Sequence, residues 1–239
     1  AIGSIMVLTF LNSRGVQNGK ILQLIFTAAK LFALFALIVL GLAIGLKSDV
    51  FSQNFDHMWD AYKTIQLPSG ELDTIPLTGF ALMGALGATI INSLFSSDAW
   101  NNVTFIAGEI KDPKKNIPKS LFFGTTIVTI IYILANLAYL ALLPKGGDPM
   151  ATDAIGQGIM FAANDRVGAG AASVIFGGLG ISMMAALIMI STFGCNNGLI
   201  LAGSRLFYAM SSDGLFFKQA KKLNQFNVPS VAMWIQGIC

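Results

Sequence analysis

Charge is scarce in this chain. Asp, Glu, Lys and Arg make up 11% of its 239 residues against 54% hydrophobic ones, and the mean hydropathy is +0.69. A soluble domain carries about 25% charged residues, so an aqueous surface is hard to assemble from this composition. Histidine occurs once, at His57, and cysteine only at Cys195 and Cys239. Two distant cysteines build neither a disulfide framework nor a metal-ligand spacing. No nucleophile in an apolar stretch has a visible base beside it, which counts against an enzyme. No metal site and no cofactor are therefore expected. Also absent are an initiator Met, a charged leader and a signal peptide.

What the chain has is long apolar runs. Crossing ~30 Å of hydrocarbon takes about 20 apolar residues, and such runs fall over 21–46, 75–110, 119–143 and 171–210. An all-α membrane protein with four complete crossings is expected. The 171–210 run is too long for one straight span, so it is expected either to tilt strongly or to extend beyond the bilayer. Shorter apolar segments over 1–11 and 229–239 cannot span, and an internal piece of a longer protein is expected.

Basic residues occupy alternate connections. Arg14 and Lys20 lie in the first, Lys111, Lys114, Lys115 and Lys119 in the third, and Lys218, Lys221 and Lys222 in the fifth. The other two hold most of the aspartates, Asp49, Asp56, Asp60, Asp73, Asp148, Asp153 and Asp165. The positive-inside rule puts the lysine-rich connections in the cytoplasm. It also reads these lysines as topology signals, so no nucleic-acid partner is expected. His57 sits in an acidic connection near Phe51, Phe55, Trp59 and Tyr62, where aromatic side chains suit the headgroup region.

Polar residues interrupt the apolar runs at three places. Phe95-Ser96-Ser97-Asp98-Ala99-Trp100-Asn101-Asn102 breaks the 75–110 run near 96–101. An unpaired amide or carbonyl in hydrocarbon costs several kcal/mol, so a non-helical stretch at that depth must be buried by protein or line a cavity. A discontinuous helix of this kind is the usual pointer to a transporter's binding site. Asp98 there either holds a cationic substrate, exchanges a proton, or caps the following half-helix. Lys30 lies roughly 14 Å into its run at ~1.5 Å per residue, near the bilayer midplane. It either snorkels to the interface or faces a functional interior. The third interruption is Ser191-Thr192-Phe193-Gly194-Cys195-Asn196-Asn197-Gly198, whose adjacent amides need partners. Between Pro144 and Gly170 a short external helix over 151–164 is expected, acting as a lid or as a plain surface cap.

With these residues in hand, the chain resembles the amino acid/polyamine/organocation superfamily, and more closely a bacterial form of its L-type amino-acid transporter branch. The likeness rests on Phe95 to Asn101, on Gly108-Glu109-Ile110-Lys111-Asp112-Pro113, on Asn136-Leu137-Ala138-Tyr139, and on Phe193 to Gly198 leading to Ser204-Arg205-Leu206-Phe207. It covers the whole chain. The resemblance implies a LeuT-like inverted-repeat fold, represented here from the end of the fourth span to the start of the ninth. It implies a sodium-independent secondary amino-acid transporter, a proton symporter or an exchanger, working by alternating access. An amino-acid sensor or a channel on the same fold is the alternative. By the same resemblance Phe95, Ser96, Ser97, Asp98, Trp100 and Asn101 belong to the substrate site, with Phe95 as an aromatic gate. Lys30 matches a lysine whose ammonium replaces a bound sodium ion, and Ser191, Thr192, Cys195 and Asn197 fall beside it in ion or proton coupling. The expected partners are an amino acid and the lipid bilayer of a bacterial inner membrane. The glycoprotein heavy chain of animal relatives is not expected.

Overall fold

The computed structural model describes residues 2–56, 58–67, 72–96 and 98–238; at 16–18, 66, 92, 95, 96, 101, 106, 109 and 238 it describes the backbone alone. The chain forms α1 (Ile2–Ser13), α2 (Val16–Gly45), α3 (Asp49–Phe55), β1 (Tyr62–Gln66), β2 (Leu72–Pro76) and α4 (Gly79–Ser96). A 3-10 helix (Asp98–Glu109) follows, then α5 (Pro113–Leu142), α6 (Ala154–Gln157), α7 (Val167–Phe176), α8 (Gly178–Ser212) and α9 (Ser230–Ile238). β1 and β2 pair as an antiparallel hairpin with Thr64 opposite Thr74. Helices over Gly19–Gly45, Pro113–Leu142 and Gly178–Ser212 are long and apolar enough to cross a membrane.

Burial is inverted relative to a water-soluble domain. Large apolar side chains point outward, Phe80 at 93% exposed, Phe32 at 75% and Phe122 at 66%, while Ala138, Ala141, Asn12, Asn197 and Ser204 are fully buried. Lipid tails solvate Phe and Leu as well as a protein core does, so helices in a bilayer associate through small residues and polar contacts. The α2 and α5 pair shows this. Side by side and parallel, they touch through Gly41 at Ala138 and Gly45 at Ala141.

Two parallel helices need the intervening chain to return to the starting end. That return is made by α4 and the 3-10 helix, whose summed rise is about 50 Å at ~1.5 Å and ~2.0 Å per residue. α8 runs antiparallel to α2, with Leu201 beside Gly19, Gly198 beside Gln23 and Gly194 against Phe26. One end of the bundle thus gathers Arg14, Lys20, Lys111 to Lys119 and Lys218 to Lys222, with Asp112 and Asp213 among them, and the opposite end gathers Asp49, Asp56, Asp60, Asp73, Asp148, Asp153 and Asp165.

At the acidic end the chain is held by hydrogen bonds from loops to helix ends. The last carbonyls of a helix lack intrahelical donors. Asn54 of α3, itself buried, donates to the carbonyls of Leu140 (2.7 Å) and Leu143 (2.8 Å), and its Oδ1 accepts from Lys145 N–H at 2.8 Å. Ser48 donates to the Gly45 carbonyl at 2.7 Å, with the Ala141 carbonyl at 3.2 Å. An apolar cluster of Leu142, Leu143 and Ala171 lies below this cap. At the basic end Asn224 plays the same part, donating to the Ser13 carbonyl at the end of α1 at 2.6 Å.

Two sequence expectations meet a different local structure. The 171–210 run is divided between α7 and α8 at Gly177, whose φ of +62° and ψ of −145° suit glycine alone. The external helix expected over 151–164 is reduced to α6 (Ala154–Gln157), capped by the Asp153 carboxylate accepting from Gly156 N–H at 3.0 Å. Pro113 opens α5 and Pro118 lies inside it, so both belong to one helix start. His57 lies outside the described residues, whereas its neighbour Trp59 is 88% exposed.

Candidate functional site

Lys30 stands about 16 Å along the Gly19–Gly45 span at ~1.5 Å per residue. It lines a cavity of about 310 Å³ bounded by α2, α7 and α8. Ser191 lines the same cavity from α8, and the rest of the wall, including Leu37, Phe176, Met184 and Leu187, is apolar. Neither Lys30 nor Ser191 has a hydrogen bond or an ion pair among the described residues. An ammonium against an apolar wall at membrane depth calls for an acceptor. The Ser191 hydroxyl is the polar group this wall offers.

The other residues expected beside Lys30 go elsewhere. Thr192 is exposed and donates back along its own helix to the Ile188 carbonyl at 2.9 Å. Cys195 is a free, exposed thiol. Asn197 is fully buried, two turns further along α8, and is taken up in a separate amide network. Its Oδ1 accepts from Asn12 Nδ2 at 2.8 Å, and its Nδ2 donates to Gln23 Oε1 at 2.9 Å and to the Gly19 carbonyl at 3.2 Å.

The polar interruption at 95–102 straddles a change of helix type. α4 ends at Ser96, and the 3-10 helix starts at Asp98. Ser97 lies outside the described residues, as do the side chains of Phe95, Ser96 and Asn101. Asp98 is exposed, and Trp100 is 58% exposed. Trp100 and Ala99 face a groove of about 460 Å³ whose other wall is α5, through Ser120, Thr125, Thr129 and Tyr132. The 3-10 helix packs between α5 and α8, so the interrupted segment meets the helix that carries Ser191.

Sequence reasoning passed over Asn12 and Gln23. Asn12 follows a segment too short to span and reads as the start of a loop, and Gln23 reads as one polar residue in an apolar run. The available signal was Asn197, since an amide inside an apolar helix requires a partner on another one. Asn136 donates to the Tyr132 carbonyl of its own helix at 2.8 Å. Tyr139 packs on the Leu142 cluster.

A family model described as amino acid permease matches residues 1–239. Among curated proteins, the chain is 26% identical over 219 residues to the b(0,+)-type amino acid transporter 1 of Oryctolagus cuniculus, covering 91% of this chain and 38% of that protein. It is 27% identical over 219 residues to the large neutral amino acids transporter small subunit 2 of Homo sapiens, covering 88% and 34%. The chain therefore spans little more than a third of the length of these relatives. They are transporters rather than enzymes, and the family carries the LeuT-like fold. An apolar helical bundle with an interrupted crossing and a lysine at mid-depth, matched along its whole length by one family model, belongs to the amino acid permease family.

Proposed function

We propose that this chain supplies the coupling half of a secondary amino-acid transporter, sodium-independent and working by alternating access as a proton symporter or an exchanger. The observation that carries the reading is the shared cavity of Lys30 and Ser191 between α2 and α8. A fixed ammonium there does the electrostatic work of a bound cation without any sodium. The substrate's amino group meets carbonyls released at the end of α4, where the partial negative charge of a helix C-terminus favours a cation. Phe95, Ser96, Ser97, Asp98, Trp100 and Asn101 form this wall of the site, and Ser191 faces Lys30 from α8 on the coupling side. Neutral amino acids are the first substrates to try, because "large neutral amino acids" stands in the name of one group of relatives.

The membrane is a bacterial inner membrane with the basic end of the bundle in the cytoplasm. The words "small subunit" in the relatives' name make a second subunit an open assignment, and our reading is a carrier that acts alone.

The test is uptake into proteoliposomes holding the full-length protein. Saturable uptake indifferent to sodium, and driven by a pH gradient or by internal amino acid, is expected. Lys30→Ala should abolish it at unchanged abundance. Full activity in Lys30→Ala would overturn the coupling assignment, and saturable ligand binding with no flux would indicate a sensor.

A further inference from the structure

The α2 and α8 interface poses a problem of register. Around Lys30 it is built from Leu, Met, Ala and Ile, and in lipid such surfaces gain little from one alignment over another, because the displaced tails are equally apolar. A slip of a single residue would shift Ser191 by about 1.5 Å along the axis and turn it by roughly 100°, taking it out of the cavity. Something other than apolar contact must set the alignment.

Asn12, Gln23 and Asn197 have the required properties. They join three helices through bonds of 2.8 Å and 2.9 Å, and a third bond of 3.2 Å anchors Asn197 to the Gly19 carbonyl. Asn12 and Asn197 have no exposed surface. Gly19 leaves no room for a side chain: a Cβ there would run into Asn12 Oδ1 and lie 3.2 Å from Leu201. Gln23 precedes Lys30 by about two turns, and Asn197 follows Ser191 by nearly the same distance along the antiparallel helix. A buried amide pair that selects one alignment is the best-attested use of a polar group among apolar helices.

We propose that Asn12, Gln23 and Asn197 are positioning residues, an amide clasp that fixes α2 against α8 in the register that holds Lys30 and Ser191 in one cavity. The proposal rests on the coupling role given above to those two residues, but its test does not. In the full-length protein carrying Cys195→Ser, a cysteine pair at Phe26 and Gly194 reports the register, since a Cβ on Gly194 would lie 2.9 Å from that of Phe26. A pair at Gly41 and Ala138, where the corresponding separation is 3.1 Å, reports the clasp-free α2 and α5 interface as a control.

Gln23→Met keeps the length of the side chain and removes the acceptor; it should slow oxidative cross-linking of the Phe26 and Gly194 pair about 3- to 15-fold, the range an interhelical hydrogen bond in a membrane supplies. The control pair should be unaffected. Gln23→Glu retains an acceptor for Asn197 Nδ2 and should restore both the cross-linking and the uptake rate. Where Gln23→Met fails to reach the membrane, Asn197→Leu gives the same reading. Cross-linking at Phe26 and Gly194 that is indifferent to these substitutions would overturn the clasp, whatever uptake does. Intact uptake in Lys30→Ala with a clasp-dependent cross-link would instead remove the coupling role and leave the clasp standing.

Discussion

Gly45→Ala tests whether close backbone approach sets the acidic end of the bundle. A Cβ at Gly45 would lie 2.5 Å from the Ala141 Cβ, 2.6 Å from its carbonyl oxygen and 2.7 Å from its carbonyl carbon. Ordinary carbon contacts are about 3.5–4.0 Å, so α2 and α5 must part by roughly 1 Å. Ala141 is fully buried, and two of the three clashing atoms are backbone, so no side chain can swing away. Overpacking of this kind costs about 1–3 kcal/mol, and the rigid partner places this case in the upper part of that range. Against it stands the gain of about 1 kcal/mol when Ala replaces Gly in a helix. Gly84→Ala isolates that gain, because nothing lies within 4 Å of a Cβ there. The difference between the two variants is then the steric cost, about 2–3 kcal/mol, or roughly 30- to 150-fold in an unfolding equilibrium. Thermal unfolding of the full-length protein in nanodiscs should show Gly45→Ala melting several degrees below Gly84→Ala. Equal melting temperatures, or the reverse order, would refute a contact interface at Ala141.

Asn54→Ala removes three hydrogen bonds at the end of α5, each worth about 1 kcal/mol net. Deuterium uptake should rise across 140–160 and stay unchanged across 19–30; uniform protection would count against the cap. Asn224→Ala should free the end of α1 in the same way, read as faster protease cleavage near Ser13 with little change elsewhere. Asp98→Asn preserves the shape of the side chain and removes its charge, and should alter the pH dependence or substrate range of uptake. An unchanged profile would reassign Asp98 to capping the 3-10 helix.

The parts of this structure that depend on hydropathy and charge alone were legible in the sequence. Apolar runs located α2, α4, α5 and α8 because a helix in lipid must satisfy its own backbone, and this requirement acts locally. The basic connections sort to one end for an equally local reason. The division at Gly177 was half legible: Gly177, Gly178 and Gly180 stand near the start of the run, but small residues serve helix packing as readily as they serve a turn.

What the sequence hid is which polar side chains meet. Asn12 lies 185 residues from Asn197, and Asn54 lies 89 from the Leu143 carbonyl it caps. No spacing rule connects such pairs, since each follows from how whole helices are laid side by side. The requirement for a partner was still visible one residue at a time. Asn197 in an apolar helix had to be paired, and the partner had to be another polar residue at matching depth, which left few choices near the basic end. Lys30 obeys the same logic with one step missing. Its cavity offers Ser191 and otherwise hydrocarbon, so an ammonium at that depth stays incompletely satisfied by α2, α7 and α8. Among the described residues Asn197 has its partners, while Lys30 has none. That difference separates a residue that fixes the helices in place from one with an acceptor still to find, and it is the physical ground for the proposal that coupling runs through Lys30 rather than Asn197.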